Sequence, residues 1–258
     1  MQNSIIKNKA MPMDHDDTSL SGLSKSGDKT SHANAPARCH DLFASISQTG
    51  LLEIQTLGDT KIYATNEIIF HEGTPAKKFF LVLDGNVKLS KLHNDGTETI
   101  VRYITPGQVT AAISLIKARE YPVTASAIDQ VKLVAWPREV FITAMHSHPQ
   151  MAINMMGIMA ERLFNLQDRY QELYRDQAEF RIAKTLLRLM EQAGKQVQQG
   201  ILIDFNLSRQ NLASYAGTTQ YTVSRILNNW KGKGWIASGR EKIIIISPQA
   251  IDAVGHPL

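Results

Sequence analysis

"LSRQNLASYAGTTQYTVSRIL", residues 207–227, reads as two short helices joined by a tight turn. Leu212, Val223 and Ile226 supply aliphatic anchors, Ala213 is small where two helices would cross, and Gly217 stands where the turn needs a left-handed backbone. Ser208 is placed to cap the first helix, and Thr218 or Thr219 the second. These are the internal constraints of a helix-turn-helix. Within "TTQYTVSRILNNW", residues 218–230, helical spacing sends Gln220, Tyr221, Ser224 and Arg225 to one side and Val223, Ile226 and Leu227 to the other. A solvated face usually mixes Glu and Lys. This one carries groups that donate and accept hydrogen bonds, with a single Arg, as a surface that reads base edges requires. Beyond it, "WIASGREKIIII", residues 235–246, is two apolar strands around Ser238-Gly239-Arg240, the pattern of a wing hairpin.

The charge distribution points the same way. The net charge is +4 over 258 residues, but residues 178–258 hold ten Lys or Arg against five Asp or Glu, a balance of +5, which leaves −1 for the remainder. A basic excess around a polar-faced helix favours a polyanionic partner. With 43% apolar and 20% charged residues the composition is that of a globular protein. Apolar stretches such as 151–160 are shorter than a membrane span needs, so a cytoplasmic protein with no membrane association is expected. The single cysteine, Cys39, excludes an internal disulfide and a four-cysteine iron-sulfur cluster from one chain.

Upstream of the reader the chain divides into three. Residues 1–38 are rich in Ser, Asp, Lys and Gly without a sustained apolar period, so a disordered tail is expected. Residues 39–150 hold short β-branched and aromatic runs, among them "FFLVL", "VKLSKL" and "TIVRYI", separated by turn pairs such as Asp84-Gly85 and Asp95-Gly96. They predict an antiparallel roll. From 151 to 177 the period becomes helical, and Ala152, Met156, Met159, Leu163, Leu166, Tyr170, Leu173 and Gln177 follow a 4-3 spacing. That is a coiled-coil seam and predicts a homodimer. A second stripe, Met151, Met155 and Ile158, can pack the same helix on its own domain. A further helix, "EFRIAKTLLRLMEQAG", ends at Gly194 and opens the reader domain, residues 178–258.

This order of parts resembles the CRP/FNR family of bacterial transcription regulators. The carriers are "NEIIFHEGTPAKKFFLVLDGNVKL", "MAERL", "FRIAKTLLRL" and "SRQNLASYAGTTQYTVSRIL", and the likeness covers roughly residues 40–250. The resemblance implies an α+β chain with an N-terminal cyclic-nucleotide-binding-like β-roll, a long dimerisation helix and a C-terminal winged helix-turn-helix. It also implies that an effector in the roll shifts the long helices, and that the dimer meets palindromic double-stranded DNA and RNA polymerase. Base reading then falls to Gln220, Tyr221, Ser224 and Arg225, and backbone contact to Arg209, Thr218, Thr219, Lys231, Lys233 and Arg240.

The effector region departs from the family's cyclic-AMP readers. Their Glu position falls at Ala111 or Ala112, their Arg position at Val123 before Thr124, and their Thr-Ser pair on the long helix at Leu166-Gln167. Both charged contacts are missing, and losing the partner of a desolvated phosphate costs on the order of several kcal/mol. An effector other than cyclic AMP is therefore expected. A haem-dependent gas sensor, a small metabolite and no ligand at all remain open. His71, His93, His146 and His148 are the possible axial ligands, but a lone His is more often a surface or turn residue. His146-x-His148 has no clear third ligand and reads as the loop before the long helix. The reading face departs too: Tyr221 stands at the family's Glu position and cannot accept from cytosine as a carboxylate does, so the half-site differs from the usual one. A cupin-like metal enzyme would need His-x-His within a strand followed by Glu, and "HSHP" lies beside a helix instead. A binding module without DNA is at odds with the reader helix and wing, and no catalytic or metal site is expected.

Overall fold

The structure, a computed structural model, describes residues 41–112, 119–175, 177–239 and 241–255. The expected tail and Cys39 lie outside the described residues. A short helix, α1 (Gln48–Thr56), precedes eight strands: β1 (Asp59–Tyr63), β2 (Ile68–Phe70), β3 (Lys78–Asp84), β4 (Val87–Leu92), β5 (Glu98–Ile104), β6 (Val109–Thr110), β7 (Thr124–Ala127) and β8 (Val131–Pro137). They form two four-stranded sheets, ordered β1-β8-β3-β6 and β2-β7-β4-β5, with every pairing antiparallel.

The continuous apolar run "FFLVL" marks a strand buried on both faces. Phe80 and Val82 join Val87, Leu89, Ile104, Ala125 and Leu133 in the core shared by the two sheets. Phe79 and Leu81 point the other way and pack with Trp136, Phe141, Met151 and Met155 beneath the helices. β3 therefore carries the roll on one side and the long helix on the other.

Two helices follow β8, α2 (Arg138–Ser147) and α3 (Pro149–Arg175). The segment around His146 is thus a helix end and not the loop expected from sequence; His146 closes α2 and His148 is its C-cap. On α3 the stripe of Met151, Met155 and Ile158 packs on the chain's own domain, and Asn154 secures the incoming chain by donating to Leu42 O at 3.0 Å and Ala44 O at 2.8 Å. Met159, expected on the seam, is half-buried in that same core. Met159 follows Met155 by four residues, so helical spacing sets it at the border of the domain-facing stripe. The uncovered stripe is wider than the seam and includes Ile153, Met156, Leu163, Phe164, Leu166, Tyr170, Leu173 and Tyr174, all exposed. Gln177 does not extend it, since it is the N-cap of the next helix.

That helix, α4 (Ala178–Ala193), buries Ile182, Ala183, Leu186 and Leu189. After Gly194 comes a hairpin that the sequence reading missed, β9 (Gly194–Val197) and β10 (Gly200–Ile203). Then follow α5 (Arg209–Ala216), α6 (Gln220–Gly232), β11 (Ile236–Ser238), β12 (Ile243–Ile245) and α7 (Pro248–Gly255), with a sheet ordered β11-β12-β10-β9. Among the described residues no helix is long and apolar enough to cross a membrane.

Candidate nucleic-acid interface

The turn between α5 and α6 is built from its caps. Ser208 Oγ accepts from Asn211 N at 3.0 Å, and Gly217 adopts φ 62°, ψ 46°, where a side chain would be strained. Thr218 N then donates back to Ala213 O at 2.9 Å, which closes the first helix. Thr219 starts the second, its Oγ1 accepting from Thr222 N at 3.2 Å. Below the turn Leu212, Ala213, Val223, Ile226, Leu227 and Trp230 are buried in one cluster.

With that side of α6 buried, the opposite side faces outward. Gln220, Tyr221 and Arg225 are exposed and Ser224 is half-buried beside them. Tyr221 is 78% exposed, the highest value among the exposed large apolar side chains of the described residues, so most of its ring is left uncovered. The flanking groups have distinct settings. Arg209 Nη2 approaches Asn228 Oδ1 at 3.4 Å, joining α5 to α6, and Lys231 is exposed in the last turn of α6. Lys233 lies with its ammonium 4.4 Å from the centre of the Trp235 ring. Thr218 is half-buried, and the Thr219 hydroxyl is engaged in the cap, within 2.9 Å of Thr222 Oγ1. Arg240 lies outside the described residues. The wing pairs Ile236 with Ile245 and Ser238 with Ile243, and Gly239 N donates to Lys242 O at 3.0 Å across its tip. Two exposed residues were not singled out in the sequence: Asn228 stands four positions after Ser224 and extends the same face of α6, while Lys242, beside the wing turn, belongs to no periodic pattern.

The expected effector residues do not converge. Ala111 and Val123 pack on the core between the sheets, whereas Ala112 is buried in the separate core beneath the helices. Thr124 Oγ1 accepts from Glu72 N at 3.1 Å, and Leu166 and Gln167 lie exposed on α3. Inside the roll Phe70 stacks on Tyr121 at 4.0 Å and on Phe80 at 5.6 Å. The Tyr121 hydroxyl is spent on the Lys78 backbone, donating to its carbonyl and accepting from its amide. A cavity of about 750 Å³ on the roll, lined by Lys91, Arg119, Tyr121 and Arg138 among others, was not foreseen. The histidines are scattered: His71 and His146 are exposed, His93 bonds Thr99 at 2.9 Å, and His148 lies 3.5 Å from Glu53. Among the described residues no three metal-binding side chains come together.

Comparison with known proteins agrees with this architecture. Residues 60–148 match the family model described as cyclic nucleotide-binding domain, and residues 180–254 match the Crp-like helix-turn-helix domain. The chain is 28% identical over 188 residues to the global nitrogen regulator of Synechocystis, covering 72% of this chain and 84% of that one. It is 28% identical over 179 residues to the cyclic AMP receptor protein of Thermus thermophilus, covering 69% and 80%. The solved structure of FixK2 from Bradyrhizobium japonicum superposes with a TM-score of 0.68 at 25% identity, covering 78% of this chain and 98% of that one. These relatives are regulators and not enzymes, which removes the cupin-like reading. A β-roll, a long helix and a capped helix-turn-helix with an outward polar face, matched in both halves to the same group of proteins, make this chain a member of the CRP/FNR family of transcription regulators.

Proposed function

We propose that the protein acts in the cytoplasm as a homodimer that reads a palindromic DNA site through two copies of α6, and that its roll responds to an effector other than cyclic AMP. The observation that carries the reading is the outward face of α6. Gln220, Tyr221 and Arg225 are exposed while Val223, Ile226 and Leu227 are buried, so the helix offers hydrogen-bonding groups to a groove without disturbing its own core. Gln220, Tyr221, Ser224 and Arg225 take the base edges. Arg209, Lys231 and Lys233, with the helix start at Thr218-Thr219, take the phosphates. Arg240, at the wing, is assigned to the backbone on sequence grounds alone.

The uncovered stripe on α3 supports the dimer. Met156, Leu163, Leu166, Tyr170 and Leu173 are each more than half exposed on one helix, which is the liability a second copy of that helix removes. A two-fold pair places the reading helices one DNA turn apart, roughly 34 Å, on a palindromic site. Bound there, the dimer is positioned to meet RNA polymerase.

The effector argument rests on chemistry. A cyclic nucleotide carries a phosphate charge and a ribose hydroxyl pair, and Ala111, Ala112 and Val123 have no group to meet either. Among the described residues His71 and His146 are exposed, His93 bonds Thr99 and His148 lies beside Glu53, so these four lend the haem reading no support.

Selection of bound sequences from a random pool by the full-length protein tests the reading. The expected result is a palindrome with half-sites about one helical turn apart. Enrichment of no sequence above the starting pool would remove the DNA-reading proposal.

A further inference from the structure

The outer face of β5 is built into the core of the reader domain. Along the β4–β5 ladder Leu89 pairs with Arg102 but Ser90 pairs with Ile100, so Val101 is the extra residue of a bulge. One inserted residue reverses the alternation of side chains. Ile100 and Tyr103 therefore project to the same side, and both lie in the cluster that holds Leu212, Tyr215, Val223 and Trp230. The Tyr103 ring centre lies 4.9 Å from that of Phe205 and 5.0 Å from that of Tyr215.

The bulge also leaves a carbonyl for another partner. Arg169, on the long helix, donates from Nη1 to Val101 O at 2.8 Å and from Nη2 to Tyr215 O at 3.0 Å, and its guanidinium lies 4.2 Å over the Tyr215 ring. Ser214 Oγ donates to Glu98 O at 2.8 Å and accepts from Ile100 N at 2.9 Å. One arginine thus clamps the roll, the long helix and the first reader helix at a single point. Farther along, Asn86 Nδ2 reaches Asp204 O at 3.3 Å.

We propose that Arg169 and Tyr103 are positioning residues for DNA recognition: they hold the reader domain against the roll in the one placement that presents α6, without touching DNA themselves. The proposal rests on the DNA-reading function above. The long helix ends at Arg175, and α4 starts after the extended backbone of Gln177, at φ −66° and ψ 158°. Across that break Glu172 on the long helix pairs with Arg188 on α4, and the Arg169 contacts add a second brace, to the roll and the first reader helix. A dimer that must set two helices one DNA turn apart loses affinity to every unproductive orientation, so a clamp that removes them tightens binding. The clamp is also releasable. Tyr103 is fully buried, yet among the described residues its hydroxyl has no hydrogen-bond partner, and that orphan group weakens the closed contact.

Two variants should push in opposite directions. Tyr103→Phe keeps the ring contacts and removes the orphan hydroxyl; Arg169→Met keeps an unbranched stem and removes both donors. In the free full-length protein, hydrogen exchange at the Ile100 amide should slow in Tyr103→Phe and quicken in Arg169→Met. On the site selected by the wild type, Tyr103→Phe should bind more tightly and Arg169→Met about tenfold more weakly. The slope of log affinity against log salt should stay unchanged in both, because neither residue meets a phosphate. Wild-type affinity in Arg169→Met, or a reduced salt slope, would overturn the positioning role, and unchanged Ile100 exchange in that variant would overturn the clamp itself. Weaker binding by Tyr103→Phe would overturn its release. A wild type that selects no site removes the DNA reading and the positioning role with it, while the exchange measurement still reports whether the clamp exists.

Discussion

Trp230 Nε1 donates to Glu179 Oε1 at 2.9 Å, which ties the last turns of the reading helix to the first turn of α4. Trp230 is wholly buried, so its indole N–H has no recourse to water if the carboxylate is removed. Glu179→Ala should destabilise the reader by about 1–3 kcal/mol, and Glu179→Gln, which keeps an acceptor, by less. Denaturant unfolding followed by tryptophan fluorescence measures both. Equal losses in the two variants would mean that the bond itself contributes nothing.

Gly217 and Gly234 provide a controlled pair. Both have positive φ, 62° and 72°, but a Cβ on Gly217 would come within 2.6 Å of Leu173 Cδ2 on the long helix, while one on Gly234 meets nothing within 4 Å. Gly234→Ala should cost only the left-handed strain, about 1–2 kcal/mol. Gly217→Ala should cost more, and Leu173→Ala in the same chain should recover the difference as a coupling energy in a double-mutant cycle. Without that recovery, the turn and the long helix are not in the contact described.

The reader was legible in the sequence because its constraints are local. Ser208, Gly217 and Thr219 each act within about one turn of their own position, and the structure finds them as caps and as a left-handed turn. The strands of the roll were legible from apolar runs and turn pairs. What escaped depended on partners far away in the chain. The hairpin at Gly194–Ile203 begins with "GKQV", whose exposed residues carry no alternation, and it exists because Ile201 and Leu202 pair with β12. Tyr103 read as one more strand residue in "TIVRYI". Its place in the reader core follows from a bulge, which no period reveals, and from Phe205 and Tyr215 more than a hundred positions on. That Met159 is half-buried on its own domain escaped for a related reason, since a seven-residue pattern does not say which side of a helix its own domain will cover.

Burial makes the Tyr103 hydroxyl hard to ionise, and the neighbouring Tyr215 and Glu98 add to the effect, so it titrates well above the usual 10.0. In the unfolded chain it would ionise near that ordinary value. Its contribution to stability is therefore complete below about pH 10 and is lost as the pH rises beyond it, by about 1.4 kcal/mol per pH unit while the folded form stays neutral. Tyr103→Phe lacks this alkaline limb. Unfolding free energies measured from pH 9 upward should diverge between the two proteins with that slope, and parallel curves would count against a buried, neutral Tyr103.

The exposed stripe on α3 makes a separate demand. Leu163 and Leu166 are 55% and 61% exposed in the single chain, so replacing both with Glu leaves the folded subunit intact but sets unpaired charge between paired helices. Sedimentation should show the variant as a monomer with wild-type circular dichroism. An unchanged dimer would place the subunit contact somewhere other than this helix.

Arg225 and Lys231 stand on the same helix in different settings, and their variants should fail differently. Arg225 is exposed in the middle of α6, next to Ser224 and one turn beyond Tyr221, where a planar guanidinium can meet guanine O6 and N7 together. Lys231 is in the last turn, past the bases that a helix entering by its first turns can reach, so its charge meets phosphate. Lys233 is a poorer probe, because its contact with the Trp235 ring would be lost as well. Arg225→Ala should cost about 1–3 kcal/mol per half-site and relax discrimination at one base pair. Lys231→Ala should weaken all sequences alike and lower the salt slope by about one unit per half-site, with the selected site unchanged. Salt titrations of both variants on the selected palindrome and on a scrambled duplex separate the two roles. If Arg225→Ala kept both the selected sequence and its affinity, base reading would have to pass to Gln220, Tyr221 and Ser224.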